Sequence, residues 1–404
     1  MEYIPVKDVE LLGIYEPGGH HPVHIGDSRS ENRYSVIHKL GSGGFSTIWL
    51  ARNHNGTYVA IKIGVASKFD DTTESEILKH PEGQTVGQPE KRRVQHLVDA
   101  FVHSGPNGSH RCHVTNPGAC SVAESEFYFD GVWLFHLDSA RAITAQLIQS
   151  IACVHAVGVV HGDLHPGNVL FTKPRLDSLS VQELYAKYGE PKREAVVRLD
   201  GIWMGKVCEE MTLEDSGVVI ADFGESWQTA LGPRYHLNTP RPYRAPEGLF
   251  AESRDASIGP AADIWSLGCV MYTLFAQRDI FESLRPDNDD VLAEHASMLG
   301  KPPSPWWDSW EAKTDFFDET GAWAVERERM AEEVDTGLEK RVMEYISEDR
   351  GGDMSTEELG DLLSLLDKMF RWAPEERATA GDLLASTWMR KWGVPAMDKL
   401  YSRE

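Results

Sequence analysis

The chain changes its hydrophobic period once, and that change constrains the fold more than any other feature. From Tyr34 to about residue 115 the apolar residues come in short alternating runs. YSVIHKL and STIWLARN flank GSGGF, TYVAIKIG follows Asn55-Gly56, and VQHLVDAFVHS and RCHVT are parted by PNG. Short alternating runs between turn residues are a strand pattern, so this part predicts about five strands. One helix interrupts them at TTESEILKH, where Ile77 and Leu78 face inward and the charges face out. Then ARAITAQLIQSIACVHAVG is apolar at helical spacing, and from Pro246 onward helices dominate. Strands first and helices afterwards predict an α+β protein with a small β-rich lobe joined to a larger α-helical lobe.

The segments that fit neither pattern mark the borders. Residues 1–33 are rich in Gly, His, Pro and charge and read as an N-terminal extension. The body runs over 34–392, with 34–115 as the small lobe and 116–392 as the large one. Residues from about 172 to 216 are polar and charged and read as an insertion, and 393–404 read as a tail. Residues 311–360 are acidic with a helical period, a docking surface or a solvated insert.

Composition excludes some partners. Lys plus Arg is 40 and Asp plus Glu is 63, a net charge of −23. Nucleic acid and anionic membranes need basic patches, so neither is an expected partner, whereas basic proteins are compatible. No stretch approaches 18 uninterrupted apolar residues, and the N-terminus lacks a basic stretch followed by an apolar run. Five scattered cysteines without a C-x-x-C pair point to a reducing compartment, with no disulfide framework and no zinc knuckle. Cytoplasm and nucleus are the expected locations, and a monomer is the expected state. His20, His21 and His24 are a candidate metal cluster, with a flexible polar segment as the plainer reading.

Several short motifs carry chemistry. Residues Leu40, Gly41, Ser42, Gly43, Gly44, Phe45, Ser46, Thr47 and Ile48 form a glycine-rich hairpin, whose backbone can approach phosphates closely. Lys62 ends VAIK in an apolar strand, where an ammonium is costly without anionic partners. Glu74 is the expected carboxylate partner, because Ile77 and Leu78 then follow on the packed face; Glu76 is the runner-up. In HGDLHPGN (161–168) Asp163 can accept a hydroxyl proton and Asn168 can offer an oxygen to Mg²⁺. ADFGE (221–225) supplies Asp222 as the second metal oxygen.

The loop alone leaves two families open. HGDLHPGN resembles the loop of aminoglycoside- and choline-type small-molecule kinases, and also that of diverged protein kinases. The downstream residues resemble protein kinases only: Ala245-Pro246-Glu247 in RPYRAPEGLF, the helix ADIWSLGCVMYTLF, and Arg377 in EERATAGDLL, which would pair with Glu247. GFSTIWLARN, VQHLVDAFVHSGPNGSHRC, Arg244 and PPSPWWDSW narrow the resemblance to the SR-protein kinase family of the CMGC group. It covers roughly residues 34 to 392. It implies ATP and Mg²⁺, Ser or Thr hydroxyls as acceptors, and Arg/Ser-rich proteins as substrates. It also places Thr115 and Asn116 near the adenine.

The sequence departs from that pattern at three places. Gly162 replaces an Arg that reads a phosphate on the activation segment, so residues 222–247 are expected to work unphosphorylated. His165 replaces a Lys that neutralises the transferred phosphoryl group. With an ordinary imidazole it would be partly charged, so turnover should improve as pH falls toward about 6.5. Gly167 removes an acid that often holds substrate Arg. Gly162 and His165 suggest a pseudokinase scaffold as the alternative. Lys62, Asp163, Asn168 and Asp222 together favour an active enzyme.

Overall fold

The computed structural model describes residues 12–69, 72–79, 93–125, 135–172, 176–191, 215–250, 257–276, 278–281, 287–318, 320–321 and 337–402. Of the segments set apart above, residues 1–11, 192–214 and 322–336 lie outside the described residues. The chain divides into two compact units, residues 1–84, 95–120 and 171–209, and residues 85–94, 121–170 and 210–404. The first is sheet-rich and the second helical, the α+β division that the change of period predicts.

The first unit is built on strands β1 (Ser28–Arg29), β2 (Tyr34–Gly43), β3 (Ser46–Asn53), β4 (Tyr58–Gly64), β5 (Leu97–Gly105) and β6 (Gly108–Thr115). They pair antiparallel in the order β1-β2-β3-β4-β6-β5. Both Asn-Gly sites are turns, with Gly56 at φ 88° and Gly108 at φ 130°, angles that glycine adopts without a Cβ clash. One face of the sheet buries Val36, Trp49, Ala51, Val59, Ile61 and Val114, among others. The extension supplies Val23 and Ile25 to this face, so it is part of the unit's core. The other face buries Ile37, Leu50 and Tyr58 against Leu184 of the insertion. That residue lies on a helix, Val181–Tyr188, started by a reciprocal Ser180–Glu183 cap. Tyr185 Oη donates to the Ile37 carbonyl at 2.9 Å and Tyr58 Oη to that of Leu179 at 3.3 Å. The insertion is therefore partly an internal packing element, in which apolar Leu176, Val181, Leu184 and Tyr185 find a sheet to cover.

The second unit is organised by the helices Leu137–Ala156 and Pro260–Phe275, with Asn288–Leu299, Thr356–Asp367 and Val394–Tyr401 further on. Trp265 is fully buried, stacked on Phe281 at 5.7 Å and edge-on to Phe370 at 5.0 Å. Gly268 is held small by that same Phe370, whose Cζ lies 2.8 Å from where a Cβ would sit. Trp307 and Trp310 of PPSPWWDSW are core residues, packed with Phe250, Phe316 and Phe317. The stretch read as a tail forms a helix whose Ala396 and Leu400 pack on Ala142. Among the described residues no helix is long and apolar enough to cross a membrane.

Cys112, Cys153 and Cys269 are free thiols, whereas Cys120 is disulfide-bonded, against the expectation of no disulfide. Bridging depends on where two Cβ atoms lie in space, which sequence spacing does not report.

Candidate active site

In the first unit β4 and α1 (Thr73–Leu78) bring a cation to a carboxylate. Lys62 Nζ donates to Glu74 Oε1 at 2.7 Å. Glu76, the runner-up, instead accepts from the Thr72 hydroxyl at 2.7 Å at the surface. The helix period decides this, since Ser75, Ile77 and Leu78 are buried and Glu76 is exposed. His113, opposite Lys62 on β6, adds a contact not foreseen from the sequence. Its Nδ1 lies 3.3 Å from Glu74 Oε2 and its Nε2 lies 2.6 Å from Ser75 Oγ. The signal was the alternation of RCHVT, which puts His113 on the face opposite to Cys112 and Val114.

The glycine-rich hairpin pairs Gly43 with Ser46 and turns at Gly44-Phe45. Nothing lies within 4 Å of a Cβ placed on Gly41, Gly43 or Gly44, and none of them has a positive φ. Neither packing nor backbone conformation demands glycine there. Close approach by a phosphate group is the demand that remains, so these residues fit a nucleotide. Not every residue assigned to the cofactor has a side chain available for it. Thr47 is fully buried, and its Oγ1 accepts from Trp49 Nε1 at 2.9 Å. Leu40 packs beside the insertion helix. Phe45 is exposed under Lys68 Nζ, which lies 3.8 Å from its ring centre. Thr115 ends β6 and accepts from Gln95 Nε2 at 3.1 Å, and Asn116 is exposed.

In the second unit the loop 161–168 is held by one buried carboxylate. Asp263 accepts from the backbone N–H of His161 at 2.7 Å and of Gly162 at 2.9 Å, and lies 2.9 Å from His155 Nε2. Burial opposes its charge, yet the His155 hydrogen bond and the His155 and His161 charges hold its carboxyl below the usual range. Gly162 sits at φ 75°, and a Cβ there would meet the Trp227 ring at 2.5 Å. The departure at 162 is thus a steric fit as well as a lost Arg. The activation segment is held by its own side chains. Arg234 Nη1 donates to the Glu225 carbonyl at 2.9 Å and its guanidinium lies 5.0 Å from the Trp227 ring centre. The Thr239 hydroxyl donates to the Gly162 carbonyl at 2.9 Å.

Asp163 is fixed by Asn168, whose Nδ2 donates to the Asp163 carbonyl at 2.8 Å and to Oδ2 at 3.2 Å. The other oxygen, Oδ1, is buried and accepts no hydrogen bond. Burial first, then the charges of Asp222 and Glu225, push this carboxyl up to about 7. Because the Asn168 amide nitrogen is spent on Asp163, its oxygen is the end left to face a cation. Asp222 stands at φ 60°, an unusual backbone angle for a residue other than glycine, and its Oδ1 accepts from Gly224 N–H at 3.2 Å. Two oxygen donors of this kind fit a hard divalent ion that completes its shell with phosphate and water.

His165 corrects the pH expectation. Its Nδ1 accepts from the Gly167 N–H at 3.2 Å, which leaves the proton on Nε2, 3.9 Å from Asp163 Oδ2. Burial, then the neighbouring His161 charge, lowers it to about 4. The imidazole is neutral at working pH, so its charge does not rise as pH falls toward 6.5. Gly167 belongs to the same feature. It has no positive φ, but a Cβ on it would lie 2.7 Å from His165 Cε1. Glycine at 167 makes room for the ring at 165.

The expected Glu–Arg pair is present and sealed. Arg377 donates to both oxygens of Glu247, at 2.8 and 2.7 Å, with both side chains fully buried. The three histidines of the extension do not converge. His20 points to Gly43, His21 lies against His103 and His110, and the His24 side chain is 82% exposed. Among the described residues no group of three or more His, Cys, Asp or Glu is placed to hold a metal.

This arrangement of residues is that of a phosphotransferase, and residues 34–389 match the protein kinase domain. The chain belongs to the protein kinase family, whose members use ATP and a divalent metal. It is 27% identical over 392 residues to a serine/threonine protein kinase of Aspergillus fumigatus, covering 94% of this chain and 90% of that one. It is 28% identical over 403 residues to the serine/threonine-protein kinase SRPK of Physarum polycephalum, covering 93% and 90%. A shorter match, 32% identical over 199 residues, is to SKY1 of Saccharomyces cerevisiae, covering 47% of this chain and 26% of the relative. Within the family the chain is a serine/threonine protein kinase of the SR-protein-kinase-like, CMGC type.

Proposed function

We propose that this chain transfers the γ-phosphoryl group of ATP, with Mg²⁺ as its metal, to Ser or Thr hydroxyls of Arg/Ser-rich proteins. The observation that carries the reading is Asp163: one carboxylate oxygen held by Asn168, the other buried with no hydrogen bond yet made. Lys62, held by Glu74, binds the α- and β-phosphates, and the Gly41–Gly44 backbone covers them. Asp222 and Asn168 hold the metal, which when bound neutralises phosphate charge. Asp163 orients the acceptor hydroxyl and takes its proton, while the neutral His165 offers an Nε2–H beside it. Thr115 and Asn116 face the adenine. The net charge of −23 supports a basic substrate. With Gly167 in place of an acid, the acids that select arginine lie elsewhere on the chain. The Arg234–Glu225–Trp227 contacts support a segment that is ordered without phosphorylation.

The test is transfer from labelled ATP with Mg²⁺ to an Arg-Ser repeat peptide, beside an acidic control peptide, with Asp163→Asn as the blank. Label on the Arg-Ser peptide alone, lowered about 10²- to 10⁴-fold in the variant, is the expected outcome. Equal label on both peptides would remove the substrate class, and none on either would remove the activity.

A further inference from the structure

We propose that the N-terminal extension is a strap that presets the glycine-rich hairpin for nucleotide, and that His20 is its positioning residue. His20 is 1% exposed, and its Nε2 lies 3.2 Å from the carbonyl oxygen of Gly43. A carbonyl only accepts, so Nε2 carries the proton. Gly43 is the last residue of β2 before the Gly44-Phe45 turn, at the point where the backbone would meet phosphate.

The rest of the strap exists to hold that imidazole in place. Gly18 N–H donates to the Asn107 carbonyl at 2.8 Å, and Asn107 Nδ2 donates back to the His20 carbonyl at 2.6 Å. Ala66 N–H donates to the Gly19 carbonyl at 3.1 Å and Ser67 N–H to that of Gly18 at 2.7 Å. A Cβ on Gly19 would lie 2.0 Å from the Ile14 carbonyl oxygen, so the turn accepts glycine alone. His21 anchors the strap on β5, with its Nδ1 2.3 Å from where a Cβ on Gly105 would sit.

Residues 65–68, which bond the strap, also hold the hairpin turn. Val65 N–H donates to the Phe45 carbonyl at 2.9 Å, and Lys68 covers the Phe45 ring. Gly43 and Phe45 are thus held from outside by two segments that are hydrogen-bonded to each other. A Gly-Gly hairpin left free would lose conformational freedom when it closed on a ligand, and one already fixed loses less. The strap therefore raises nucleotide affinity without touching the nucleotide.

This inference rests on the nucleotide reading given above, and the test separates the two. The full chain, His20→Ala and His20→Gln are compared for ATP·Mg²⁺ affinity by calorimetry, for the Michaelis constants of ATP and peptide, and for melting temperature. Loss of one net hydrogen bond should weaken ATP binding and raise its Michaelis constant about three- to tenfold in His20→Ala. Turnover and the peptide constant stay as they were, and melting moves by about 2 °C or less. Gln places an N–H donor where Nε2 was, and restores most of the affinity. Wild-type binding of ATP with no change in His20→Ala overturns the inference alone. A loss of affinity that Gln does not restore, with a parallel fall in melting temperature, also overturns it. A wild-type chain that binds no ATP overturns the nucleotide reading and the inference with it.

Discussion

Two Glu–cation pairs serve this molecule in opposite ways. Glu74 meets Lys62 through one oxygen, and both side chains stay partly open, at 14% and 19% exposure. Glu247 meets Arg377 through both oxygens with no exposure on either side. Arg377 also donates to the carbonyls of Ala261, Arg371 and Trp372, and its guanidinium lies 5.1 Å from the Trp265 ring centre. A sealed fork with every donor spent is a fastener. An ammonium that stays 19% exposed is a hand that a ligand can still reach. The same two charges give a structural part or a chemical one according to how far they are sealed from solvent.

The largest effect should come from breaking the sealed pair. Arg377→Ala leaves Glu247 buried and unpaired, and should cost about 3–5 kcal/mol in urea unfolding. Replacing both partners by Leu and Met should recover most of that, and a double variant as unstable as the single one would contradict the fastener reading. Lys62→Met should invert the pattern. Phosphoryl transfer falls about 10²–10³-fold, while the unfolding free energy changes by about 1 kcal/mol or less. A large stability loss there would erase the contrast between the two pairs. Next is Gly167→Ala, which forces a Cβ against the His165 ring, an overlap typically costing about 1–3 kcal/mol. Its activity loss should shrink when His165 is also Ala; equal losses in both backgrounds would mean that the two positions are not matched.

The last effects concern pH. His165 is lowered to about 4 when folded against 6.5 in an unfolded chain. Between those values the unfolded chain holds the extra proton, so stability falls as pH drops from 6.5 toward 4. In His165→Gln that part of the acid sensitivity should vanish from the melting curves, and the rate profile above pH 7 should keep its shape. A wild-type rate that rises toward pH 6.5 and a variant that does not would restore the charged imidazole. Asp163 has the opposite sign. Its carboxyl, pushed up to about 7 from 3.8, costs stability as pH rises through that window, so Asp163→Asn should melt no lower than wild type at pH 8 without metal.

What could be read from the chain, and what could not, follows from the range of each interaction. The choice of Glu74 over Glu76 was legible because a helix period acts over four residues. Glu247 with Arg377 was legible through flanking motifs that resemble a family, not through any local rule. Asp263 was not, although it holds the backbone of 161–162, because its partners lie 102 and 101 residues away and are backbone N–H groups common to every residue. The lowered His165 was missed for a similar reason. Burial sets it, and burial is a property of the finished packing. The insertion reads as polar in sequence, but four apolar residues at 176–185 find the sheet.

The sealed pair also bears on how the polypeptide is made. Glu247 precedes Arg377 by 130 residues, and a ribosome releases the N-terminal portion first. Until the later residue emerges, the carboxylate has no guanidinium to meet, and the segment before it has no anchor at its far end. A message cut short between codons 247 and 377 therefore yields a product that carries Lys62, Asp163 and Asp222 intact but leaves Glu247 without its guanidinium.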